Sequence, residues 1–107
     1  METQARYYPD LLSEAPIPKG SILSRTLHSA QGHKVMLFAF DAGQELSEHT
    51  ASRPALLQIL SGKGCLKLGE EELEAQPGSL AYMPAGLMHA VRAESPLVML
   101  LTLLPKE

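Results

Sequence analysis

One cysteine, Cys65, and no tryptophan occur in 107 residues, and aromatic side chains make up only 5 % of the chain. A single thiol cannot close an internal disulfide, and a cysteine-based metal centre is excluded with it. A lone thiol fits a reducing compartment. Basic blocks are also missing. The formal net charge is -3, with 9 Lys and Arg against 12 Asp and Glu, which argues against nucleic acid or an anionic membrane surface as a partner. The longest apolar run, Leu97 to Leu104, is interrupted by Thr102 and falls far short of the ~20 residues that cross a bilayer. The first twelve residues are polar and carry Glu2, Arg6 and Asp10, unlike the basic start and apolar stretch of a signal peptide. These absences lead to the expectation of a cytoplasmic protein. No segment sustains a helical period with caps at its ends.

Apolar residues nonetheless reach 45 %, enough for a packed core in one domain. Residues 1–20 read as an N-terminal arm punctuated by Pro9, Pro16, Pro18 and Gly20, with Tyr7, Tyr8, Leu11 and Leu12 available to anchor it. From residue 21 to 107 short apolar runs alternate with turn signals. The runs are 21–27, 34–40, 56–60, 65–68, 72–75, 80–83, 89–93 and 97–104. Between them stand turns at Gly32, Gly43, Gly62, Gly69, Gly78, Gly86 and Pro96. Short strands at even spacing predict an all-β sandwich or barrel. The runs favour Leu over Val and Ile, which lowers β-propensity, but helices of ten or more residues do not fit between the breakers.

Two stretches carry a more specific pattern. Gly43 is followed after five residues by His49, and Gly62 closes the segment; Gly78, Pro84, Gly86 and His89 form a second one. These resemble the paired motifs of the cupin superfamily, G-x5-H-x-H-x3-E-x6-G and G-x5-P-x-G-x2-H-x3-N. The chain is similar in particular to small single-domain cupins whose first motif reads His-Thr-Ala. The resemblance runs from about Ser21 to Leu104 and implies a jelly-roll barrel of antiparallel strands, with a binding pocket inside. In metal-binding relatives the two His and the Glu of motif one, with the His of motif two, hold a divalent ion. Imidazole and carboxylate suit Ni, Zn, Mn, Fe or Cu. Here Ala51 and Ala55 stand at the positions of the second His and the Glu, and Ala93 replaces the final Asn.

His49 and His89 are therefore the candidate site residues, as pocket groups, as metal ligands, or as structural residues each tied to a backbone carbonyl. Tyr82 and Met88, beside motif two, are expected at the pocket. Gln58 is the one candidate third ligand, although alternation from Ala55 sends it to the opposite face and only a bulge would bring it inward. His28 and His33 flank a turn and are read as solvated or edge residues. Glu45 and Glu48 are read as solvated loop acids, and Cys65 as an inert buried thiol. No Ser-His or Cys-His nucleophile pattern is present. Two functions compete, beside a third, an interaction or regulatory protein using the barrel as a dimer platform, which no attached DNA-binding or catalytic domain supports. The first is a binder of a small organic ligand, with or without metal. The second is a divalent-metal-dependent oxygenase, isomerase or lyase, for which the ligand set is incomplete. The extra apolar surface of the arm and of Leu97–Leu104 predicts a homodimer.

Overall fold

In the computed structural model, which describes residues 4–106, a short 3-10 turn at Leu11–Glu14 precedes the strands. These are β1 (Ile22–Ala30), β2 (His33–Phe40), β3 (Glu45–His49), β4 (Ala55–Ser61), β5 (Gly64–Leu68), β6 (Glu71–Ala75), β7 (Leu80–Met83), β8 (His89–Ala93) and β9 (Leu97–Leu103). They form two antiparallel sheets, one in the order β1-β2-β9-β4-β7 and the other β3-β8-β5-β6. The chain is an all-β jelly-roll barrel. Among the described residues no helix is long and apolar enough to cross a membrane.

The barrel interior is filled by residues from both sheets. Phe40, Leu57, Ile59, Met83, Leu97 and Met99 of the larger sheet meet Leu66, Ala75, Val91 and Ala93 of the smaller one. A second core lies on the outer face of the larger sheet. There Leu27, Leu37, Ala39 and Val98 are covered by Ala15 of the arm, with Tyr8 and Leu11 packed alongside. This explains the largely apolar character of β9: Leu97 and Met99 face the barrel while Val98 faces the arm. A strand buried on both faces need not alternate. The Tyr8 hydroxyl donates to the Leu27 carbonyl at 2.7 Å, and Arg25 pairs with Glu14 at 2.9 Å. Tyr7, in contrast, is 84 % exposed and anchors nothing.

The register also departs from plain alternation. The pairing of β1 with β2 shifts between Thr26 and His28, and that of β3 with β8 shifts between Leu46 and His49. Each shift adds one residue on one strand, and the residues after it change face. β3 itself was not legible as a strand, because Leu46 is its one apolar residue and the other four are exposed. It exists through its pairing with β8, a partner more than 40 residues away in the chain.

Candidate ligand site at one end of the barrel

Six strand ends meet at one end of the barrel. β3 ends at His49, β5 at Leu68, β7 at Met83 and β9 at Leu103, while β4 begins at Ala55 and β8 at His89. Ala55 is registered against both Met83 and Leu103, and His89 against both His49 and Leu68. The loops carrying the two motifs are joined where the Gly86 amide donates to the Ala51 carbonyl at 2.9 Å. A second tie comes from the C-terminal segment, where Leu104 donates to the Pro54 carbonyl at 2.8 Å and itself accepts from the Arg53 side chain at 2.8 Å.

The bulge in β3 decides where His49 points. Leu46 packs against the barrel core, so strict alternation would send His49 outward. The extra residue instead pairs His49 with His89, which shares its face with the buried Val91 and Ala93. The two rings sit 4.2 Å apart between centroids at 60°. His89 is 8 % exposed, whereas His49 is open to solvent. Across the outer face, Lys67 of β5 reaches over β8 to Glu48 at 3.0 Å and secures the end of β3. The hydrogen bond to Glu48, and then its charge, raise the Lys67 pKa above its ordinary value. Glu48 is thus a strand residue with a cross-strand partner rather than a solvated loop acid.

Both rings are held the same way. His49 Nδ1 lies 2.7 Å from the Ser47 carbonyl, and His89 Nδ1 lies 2.9 Å from the Leu87 carbonyl. A carbonyl oxygen only accepts, so each Nδ1 carries the proton and each neutral ring presents Nε2 as a bare lone pair. That arrangement can accept two hydrogen bonds from one ligand group. It is also the tautomer that imidazole adopts when Nε2 binds a metal.

The remaining expected site residues stand elsewhere. Gln58 is exposed on the outer face of β4, between the buried Leu57 and Ile59; the register shift in β4 lies beyond it, after Ile59. It cannot be a third ligand. Tyr82 is 54 % exposed and its neighbour Met83 takes the inward place, so Tyr82 stands on the outer surface. Met88 is 44 % exposed in the turn before β8, and its carbonyl accepts from Gly69 at 2.7 Å. Ala51 is half-buried and Ala55 is 3 % exposed; neither has a donor atom. Among the described residues no three His, Cys, Asp or Glu side chains gather to hold an ion. Two imidazoles do not fit a complete metal site, since catalytic zinc sites use three protein ligands. Sequence reasoning passed over Leu68 and Leu87. These half-buried side chains pack against the core, Leu68 opposite His89 and Leu87 two residues before it.

Residues 36–103 match the cupin domain family, and the chain belongs to that family. It resembles the conserved protein SPY1581 of unknown function from Streptococcus pyogenes, with 32 % identity and a TM-score of 0.86 over 98 % of this chain and 92 % of that one. A cupin superfamily protein, DSY2733, from Desulfitobacterium hafniense gives 25 % identity and a TM-score of 0.85, covering 96 % of this chain and 94 % of that one. The uncharacterized protein SCO3923 of Streptomyces coelicolor is 33 % identical over 55 residues. That match spans about half of each chain, 51 % here and 52 % there.

Proposed function

We propose that the barrel binds a small organic ligand at its His49/His89 end. The observation that carries this reading is the pair of imidazoles at 4.2 Å, each held through Nδ1 by its own backbone, so that Nε2 is the acceptor of the neutral ring. A ligand group with two N–H donors, such as a primary amide, satisfies that pair. An apolar body would lie against Leu68, Leu87 and Leu103, the half-buried leucines of the same end. Ligand sites of this kind combine an apolar lining with a few convergent polar groups.

The competing reading is a metal-dependent cupin enzyme, using Ni, Zn, Mn or Fe. The Nε2 lone pairs favour it; Ala51, Ala55 and the outward Gln58 count against it. Untagged full-length protein distinguishes the two. Titration with benzamide, whose NH2 carries two donors, monitored by NMR, is expected to shift the amides around His49 and His89. His49→Ala and His89→Ala are each expected to weaken benzamide binding about tenfold, the loss of one good hydrogen bond in an apolar site. Stoichiometric metal in the purified protein, lost in both variants, would favour the enzyme instead.

The functional unit is proposed to be a homodimer. β6 and β7 are the outer strands of their sheets, and Leu73, Leu80 and Tyr82 on them are 41 %, 66 % and 54 % exposed. Unpaired edges carrying apolar side chains are suited to pairing with a second copy.

A further inference from the structure

A groove of about 950 Å³ runs between the N-terminal arm and the outer face of β1, β2 and β9. It is separated from the His49/His89 site by the whole thickness of the larger sheet. Its size lies at the upper end of the roughly 300–1,000 Å³ typical of small-molecule sites. Leu27, Val35 and Leu100 line it from the sheet, and Tyr8 and Leu11 from the arm. The Tyr8 hydroxyl is already committed to the Leu27 carbonyl, so this residue contributes the face of its ring.

Three independent features mark the groove as more than a seam. The first is the register shift in β1. Thr26 is registered on Met36, but His28 is registered on Val35, which belongs to the outer core. Leu27 is therefore the inserted residue, and both Leu27 and His28 line the groove. Plain alternation would have turned His28 into the barrel. Bulges of this kind re-aim a side chain and are built-in features of a strand.

The second feature is the histidine pair itself. His28 and His33 lie 5.1 Å apart between ring centroids, tilted by 38°. The Nδ1 atom of His28 is buried without a hydrogen-bond partner. In a neutral ring, the tautomer that leaves no buried N–H unmet at that site carries its proton on Nε2. The polarity is the reverse of that at His49 and His89: this ring offers a donor.

The third is charge. Among the described residues no Asp or Glu lines the groove, while Arg6, His28 and His33 do. Arg6 is engaged in an interaction of its own, so the recognition rests on the imidazoles. A recess whose described lining offers imidazole groups and no carboxylate is complementary to an anion.

We propose that this groove is a second ligand site, specific for a small organic carboxylate with an aromatic or branched aliphatic body. The carboxylate accepts from the imidazole N–H groups, and the body lies on Leu27, Val35 and Leu100. This proposal is independent of the barrel reading, whose lone pairs call for a donor rather than an acceptor.

The test is a titration of the ¹⁵N-labelled full-length chain with 3-phenylpropionate, run beside its alcohol, 3-phenylpropan-1-ol. The acid is expected to shift the amides of residues 27–35 and Leu100, and the alcohol to bind about tenfold more weakly, because hydrogen bonds to a charged group are the stronger ones. His33→Phe keeps an aromatic ring beside His28 but deletes its N–H, and should lower affinity for the acid about tenfold. His49→Ala should leave it unchanged. Equal affinity for acid and alcohol overturns the proposal, as do shifts confined to residues 49 and 87–89. It also falls if the groove amides move with protein concentration alone, because a second copy then fills the groove. Should His33→Phe fail to fold, the acid-to-alcohol ratio on the wild type still decides.

Discussion

His49 lies on the inner face only because β3 carries one residue more than β8 across the shift after Leu46. Single residues elsewhere are constrained as tightly. Gly62 has φ +84°, and a Cβ there would collide with the Pro96 carbonyl and the Leu97 backbone. Neither neighbour is a flexible side-chain tip. Gly62→Ala is expected to cost at least about 2 kcal/mol, from left-handed strain and the clash together. Urea unfolding should show a lower midpoint at an unchanged slope.

Ala51 and Ala55 invite the opposite experiment, the addition of donors. The double change Ala51→His, Ala55→Glu would place four candidate ligands at the His49/His89 end. Because Ala55 is 3 % exposed, the new carboxylate is expected to destabilise the metal-free variant by roughly 1–3 kcal/mol. Nickel or cobalt, added where the imidazoles are neutral, should restore and then raise the melting temperature, since ligation energy becomes folding energy. The wild type, with two imidazoles, should show only weak binding. Equal affinity in both proteins would mean that the four positions do not converge.

At the level of elements, the larger sheet is buried on both faces where the arm covers β1, β2 and β9, and its outer face is open at Gln58 and Tyr82. Leu57 faces the barrel and Leu37 faces the arm, and both are essentially inaccessible at 1 % and 0 % exposure. Leu37→Ala is therefore expected to cost about 2–5 kcal/mol, the same range as Leu57→Ala. A cost under about 1 kcal/mol would mean that the arm is only loosely laid on the sheet. Tyr8→Phe removes the bond to Leu27 and should cost about 1 kcal/mol. Chemical denaturation of the three variants compares them directly. The smaller sheet behaves differently: its outer face carries Glu48, Lys67, Glu72 and Arg92 around Cys65. Cys65 is half-buried on that face, beside Glu74 and Arg92 in register, and not in the barrel core.

For the whole molecule, the source of the apolar surface behind the expected dimer has changed. Leu97–Leu103 is not a spare surface: β9 lies between β2 and β4 in the middle of its sheet, and the arm covers its outer side at Val98. The exposed apolar residues are instead on β6 and β7, at Leu73, Leu80 and Tyr82. A dimer through these edges predicts a sedimentation mass of twice the 11.6 kDa chain at micromolar concentration. Leu80→Lys, which puts a charge on the edge, should return it to a monomer. A monomer in the unmodified protein would contradict the proposal.

The number and order of most strands were legible in the chain because turns at Gly32, Gly43, Gly62, Gly69, Gly78 and Gly86 are local events. Each of these residues has a positive φ, a conformation that glycine reaches without steric cost. The spacing of His49 and His89 within their motifs was legible for the same reason. What tertiary structure decided was direction and partnership. β3, with one apolar residue, is a strand only because β8 pairs with it. Two register shifts, visible in no local pattern, turned His49 toward the barrel and His28 away from it. Tyr82 was sent outward by the burial of Met83 beside it. The tautomers of His49 and His89 depend on carbonyls that only the folded backbone brings to their Nδ1 atoms. Residue type and spacing are properties of the chain, but the face a side chain occupies depends on register, and register is set by strands that meet across long stretches of sequence.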